Sequence, residues 1–141
     1  MSSPIIEFKG YSIKNLIYSQ EKIKDVEFTN SQEDLEFDVS HGFTEDLSKA
    51  KLGMRLQLAT EDDRSFLVLE VEGFFDINST LIKNEDGSNR EMTEIQQIFL
   101  VNSTAILYPY LRSIVSVVTS LDSANSIILP TINLRNYASK N

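Results

Sequence analysis

Toward catalysis this chain offers one histidine, His41, three consecutive carboxylates, Glu61, Asp62 and Asp63, and no cysteine. Without a thiolate or a second imidazole, one chain can assemble neither a tetrahedral zinc site nor a Cys–His or Ser–His nucleophile pair. His41, beside Gly42, falls just past a strand pattern and reads as a loop residue. The three acidic residues lie in the run TEDDR, 60–64, which reads as a solvated hairpin tip; carboxylate chemistry there is the one enzymatic route left open. Asp76, Asn78 and Thr80 are spaced like the start of a calcium loop, but Leu81 stands where that loop needs glycine and Gly87 where it needs a bidentate carboxylate. No glycine-rich phosphate loop occurs. The residues therefore predict no enzyme, no cofactor and no metal, and attention passes to the apolar side chains.

The 141 residues suit one domain, 1–141, with a single core and no internal linker. A formal charge of −8, with 13 Lys and Arg against 21 Asp and Glu, argues against nucleic acid, whose phosphates must be neutralised by clustered cations. It fits solubility or a basic partner. The start, MSSPIIEFKG, has no basic and then apolar stretch of the kind that directs secretion, and no uninterrupted apolar run reaches the length of a membrane span. The expectation is a cytoplasmic protein without membrane insertion.

The first two thirds read as strands. Ile6 and Phe8, then Tyr11, Ile13 and Leu16, alternate with polar residues, and the phase slips at Gly10 as it does at a bulge. Ile23 to Phe28 and Leu35 to Val39 continue the alternation across the polar TNSQED. Leu52, Met54, Leu56 and Leu58 predict a half-buried antiparallel strand, which TEDDR joins to SFLVLEVEGFF as a hairpin. A short amphipathic segment, Glu91 to Leu100, then precedes the main helix, with Asn102, Ser103 or Thr104 as its cap and Pro109 in its first two turns. Within 105–121 one stripe, Leu107, Leu111, Ile114, Val118 and Leu121, should face the body of the subunit. A second, Ile106, Tyr110 and Val117, is separated from it only by small hydroxyls and Arg112. A helix so apolar around its circumference asks for a partner, and Ile106, Tyr110, Ser113, Val117 and Ser120 are the expected oligomer contact. Strands first and helices last predict an α+β fold with helices on one face of an antiparallel sheet.

Three segments carry a family resemblance: EVEGFFDI (70–77), LYPYLRSIVSVV (107–118) and ILPTINL (128–134). In order and spacing they resemble the SecB export-chaperone family. The resemblance implies a four-stranded antiparallel sheet with a long helix and shorter helices packed on one face, assembled as a homo-oligomeric dimer of dimers. It also implies ATP-independent holding of unfolded or disordered polypeptide clients on hydrophobic grooves, with an acidic outer sheet face engaging the SecA motor. Carried onto this sequence, the groove would draw on Leu35, Phe37, Val39, Phe74, Phe75, Ile77, Leu134 and Tyr137. TNSQED is shorter than the family's crossing segment, which implies a shallower groove, and the sequence ends at Asn141 without the family's extended tail, which weakens the case for SecA. Truncated SecB-like proteins that protect one antitoxin supply the alternative, a module dedicated to one partner.

Overall fold

The computed structural model describes residues 4–22, 24, 26–30, 37–59, 64–122 and 128–129. Strand β1, Ile6–Ser19, is the first of four antiparallel strands; β3 is Asp38–Phe43, β4 Lys49–Ala59 and β5 Phe66–Ile77. A two-residue strand, β2 (Thr29–Asn30), adds in parallel to the end of β4. The order across the sheet is β1, β5, β4, with β3 and β2 sharing the far edge of β4. Among the described residues β1 is a free edge.

The two-residue period does what the sequence pattern predicts. Leu52, Met54, Leu56 and Leu58 of β4 and Leu67, Leu69, Val71 and Phe75 of β5 are fully buried on one face. Fully burying each such side chain contributes about 1.5–3 kcal/mol. The slip at Gly10 is a bulge, with Gly10 at φ +124°, and a second register shift falls between Ile13 and Asn15. The residues expelled at the two bulges are Lys9 and Lys14. Edge strands interrupted by bulges and lysines resist indiscriminate pairing with other chains.

The helical part departs from expectation. Helix α1 is one short turn, Ser79–Ile82, and Asn78 caps it by accepting from the Thr80 amide at 3.0 Å. This explains the calcium-like spacing without calcium: Asn78 is a cap, and Asp76 pairs with Lys9 and Lys49. Helix α2 runs unbroken over Met92–Ser120, absorbing both the segment 91–100 and the residues expected to cap a later start. Asn102 and Thr104 do not cap; their side chains donate back to the carbonyls of Ile98 and Leu100, at 2.8 and 2.6 Å. A polar residue whose bond is closed within its own helix no longer ends it. Pro109 consequently lies deep inside α2 rather than in its first two turns. By length and composition the joined helix is apolar enough to cross a membrane, but its inner face is a core face packed on the sheet.

That inner face is rotated from the expected stripe. Leu107 and Leu111 are buried as anticipated, but the row continues through Val115 and Thr119, while Leu121 is 82% exposed. Thr119 can be buried because its hydroxyl donates to the Val115 carbonyl at 2.7 Å. Phe99 meets Phe75 edge-on, with ring centroids 5.5 Å apart, and Leu107 of α2 packs over Gly73 of the sheet. Leu129 is also buried in this core.

Candidate functional site

His41 is a strand residue, opposite Leu52 in β3, and not the loop residue its neighbouring glycine suggested. Its ring lies 5.6 Å from that of Phe43 and 6.4 Å from that of Phe99. No cluster of metal-ligating side chains forms among the described residues. Glu61, Asp62 and Asp63 lie outside them, as do Leu35, Leu134 and Tyr137 of the expected groove.

The remaining expected groove residues do not share one surface. Phe75 is 1% exposed beneath α2, whereas Phe74, its neighbour along the strand, is 40% exposed on the opposite face of the sheet. Alternation forces this separation, because successive strand side chains point to opposite faces. Phe37 is buried edge-on against Tyr108, with centroids at 5.3 Å. Val39, opposite Met54, and Ile77, opposite Ile6, are half-buried. Tyr108 belongs to the core, while Tyr110 joins Phe8 and Tyr11 of β1, at 5.2 and 4.9 Å.

An accessible apolar surface nonetheless exists, on the flank where α2 meets the free edge. Tyr110 stacks beside Tyr11 near one end, and at the other the Tyr18 hydroxyl donates to Asp122 at 3.0 Å. The second half of α2 therefore runs alongside β1 in the same direction. From β1 this flank receives Tyr11, Ile13 and Leu16, all exposed. From α2 it receives Tyr110 at 38% exposure and Val117 at 61%. Ile106 and Ile114 are partly buried beside them, and Ser113 and Ser120 are exposed. The hydroxyl of Ser120 closes on the Val117 carbonyl at 2.7 Å, so it presents little polar character of its own. Exposed apolar side chains gathered on two adjoining elements are what binding surfaces show and isolated surface residues do not. Sequence reasoning found the α2 half of this strip. It missed the β1 half, because the alternation of Tyr11, Ile13 and Leu16 signals a strand face but not that the strand lies at an edge.

The outer sheet face is not the acidic surface the resemblance implied. Glu70, Glu72 and Asp76 of β5 are interleaved with Arg55, Lys51 and Lys49 of β4 and with Lys14 and Lys9 of β1, at separations from 3.3 to 3.9 Å. Such exposed pairs contribute little stability each. Their effect here is to cancel the acidity of the face.

Two solved structures share this architecture. The Mycobacterium tuberculosis Rv1957 SecB-like chaperone, solved in complex with a ChAD peptide from the Rv1956 HigA1 antitoxin, aligns over 90% of this chain and 87% of its own, with a TM-score of 0.66 and 16% identity. The fold is SecB-like. A protein of unknown function from Streptococcus agalactiae aligns over 90% of this chain and 97% of its own, with a TM-score of 0.53 and 12% identity. In sequence, an uncharacterized protein of Methanocaldococcus jannaschii is 33% identical over 69 residues, which is 49% of this chain and 38% of that protein's length. No model of a known protein family matches. The α+β, SecB-like expectation from the three sequence segments is thus borne out for the fold, at an identity that marks the chain as divergent.

Proposed function

We propose that this chain, acting as one domain over 1–141, is a SecB-like chaperone that shields non-native or disordered polypeptide by binding, without catalysis, nucleotide or metal. The observation that carries the reading is the apolar strip of Tyr11, Ile13, Leu16, Tyr110 and Val117 on a SecB-like fold. In this reading the α2 row Ile106, Tyr110, Ser113, Val117 and Ser120 is covered by a second copy in a homo-oligomer, a dimer of dimers. The β1 row receives the client. Val39 and Ile77 are half-buried, and Leu35, Leu134 and Tyr137 of the expected groove lie outside the described residues. The work is done in the cytoplasm, and delivery to a SecA motor is its export form. Many weak apolar contacts along an extended client, each on the order of 1 kcal/mol after ordering costs, allow both capture and release.

A reduced, unfolded substrate protein should aggregate more slowly in the presence of roughly stoichiometric chain. Ile13→Asp with Leu16→Asp should abolish the protection while circular dichroism stays unchanged. Protection undiminished in that variant would remove the β1 row from the account.

One observation favours a narrower form. The M. tuberculosis neighbour is described with a peptide from one antitoxin, so a single dedicated partner fits the same strip. The two forms separate by breadth: a dedicated module binds one ligand tightly and gives little general protection against aggregation.

A further inference from the structure

We propose that the outward edge of β3 is a strand-addition site, pairing antiparallel with a short extended polypeptide segment whose apolar side chains fall at alternate positions. The proposal deepens the polypeptide-binding reading above and rests on it for the nature of the ligand.

Strand β4 divides its backbone bonds between two neighbours. The Ile77 amide donates to the Ser48 carbonyl at 2.8 Å, and the Thr44 amide to the Lys49 carbonyl at 3.0 Å. Bonded and non-bonded pairs alternate along an antiparallel ladder. From Thr44 backward, β3 therefore turns the backbone groups of Gly42, Ser40 and Asp38 toward Lys51, Gly53 and Arg55. The amides and carbonyls of Val39, His41 and Phe43 consequently point away from β4. Among the described residues β3 pairs with β4 alone. Donors and acceptors thus stand open on that edge at every second residue, the spacing of a strand.

The two outer edges of the sheet are treated differently. Register shifts interrupt β1 at Lys9 and Lys14, and bulges and lysines both hinder the addition of a further strand. Strand β3, DVSHGF, pairs without a shift and holds neither lysine nor proline. One edge is guarded and the other is not.

The faces of β3 select the ligand's pattern. Val39 and Phe43 pack half-buried against the core on the α2 face, and the rings of His41 and Phe43 lie 6.4 and 5.1 Å from that of Phe99. The opposite face carries Ser40 and Gly42. A residue directly opposite His41 exchanges both backbone bonds with it and sets its side chain on the α2 face beside these rings. Its two neighbours fall on the face of Ser40 and Gly42. The edge accordingly fits apolar and polar residues in alternation. A second copy would meet the same edge, but three bonded residues bury far less than the ~800 Å² per partner of a stable interface. A short backbone contact with side-chain preference at alternate positions suits a peptide segment.

The test is fluorescence anisotropy with the whole chain and a labelled peptide, Lys-Val-Thr-Val-Thr-Val-Lys. N-methylation of its valine amides, which face β3 in this register, should weaken binding about tenfold or more. N-methylation of its threonine amides, which face away, should leave binding within about twofold. His41→Pro removes one outward amide and no bond to β4, and should weaken binding about fivefold or more. The methylated peptides report on the unaltered chain should His41→Pro fail to fold. Equal loss from the two methylations, or undiminished binding by a folded His41→Pro protein, would overturn the proposal. So would an oligomer mass that falls in His41→Pro, which would give the edge to a second copy. A chain that slows aggregation yet binds no such peptide would overturn it too, while leaving the chaperone reading in place.

Discussion

Alanine at position 73 should loosen the seat of α2 on the sheet. A Cβ there would stand 3.1 and 3.3 Å from the two terminal carbons of Leu107 and 3.3 Å from a ring carbon of Phe75. Favourable carbon–carbon separation is about 3.5–4.0 Å. Leu107 and Phe75 are both fully buried, so neither can swing aside into solvent. Overpacking of this kind costs about 1–3 kcal/mol. Removing a glycine from a strand interior returns about 0.5–1 kcal/mol. The net expectation for Gly73→Ala is a loss of up to about 2.5 kcal/mol. Urea unfolding at one fixed protomer concentration, on wild type, Gly73→Ala, Leu107→Ala and the double variant, measures it. Leu107→Ala alone should cost about 2–5 kcal/mol. In the double variant the added methyl enters the space vacated, so its cost should fall below the sum of the singles by about 1 kcal/mol or more. A Gly73→Ala protein more stable than wild type, or costs that add, would refute the close approach of helix and sheet.

Three further outcomes follow from named contacts. Val117→Asp should split the oligomer, seen as a lower mass in sedimentation, because it sets a charge in the most exposed part of the α2 row; an unchanged mass would move the interface elsewhere. Pro109→Ala should raise stability by about 1–3 kcal/mol, since the exposed proline withholds an amide from the Ala105 carbonyl within α2, and lower stability would assign the ring a packing role. The Ser48 hydroxyl, then that of Thr44, holds the Asp46 carboxyl down from 3.8 to about 2. A lowered carboxylate stabilises the fold above its unfolded value and loses that contribution as pH falls through the folded one, here from near 3.8 down to about 2. Nuclear magnetic resonance titration of Asp46 should therefore show a midpoint near 2, moving upward in Ser48→Ala, and a midpoint that stays put would disprove the hydroxyl's role.

What the sequence made legible was whatever local periodicity controls. The alternation of β4, the bulge at Gly10 and the order of strands before helices could be read directly, because side-chain direction along a strand is set by the backbone. The start of α2 was not legible, since Asn102 and Thr104 look like caps until their back-bonding within the helix is seen. The buried row of α2 was misread by one position past Leu111, because Thr119 counts as polar in sequence yet satisfies its hydroxyl internally. His41 was displaced into a loop by the adjacent glycine, which β3 tolerates at an edge of the sheet. For the site, the apolar row of α2 was visible as a surplus of hydrophobic residues. The matching row on β1 depends on which strand lies at the edge, a property of the whole topology that no local pattern encodes.

Client capture by the apolar strip is the central claim, and light scattering tests it most directly. The mass of the chain is measured alone and with a reduced, unfolded polypeptide at moderate salt. The account predicts an oligomer, of tetrameric mass, that takes up the polypeptide in complexes of about one to one. A stable oligomer whose mass does not change on addition of the unfolded polypeptide would contradict general holding of non-native chains.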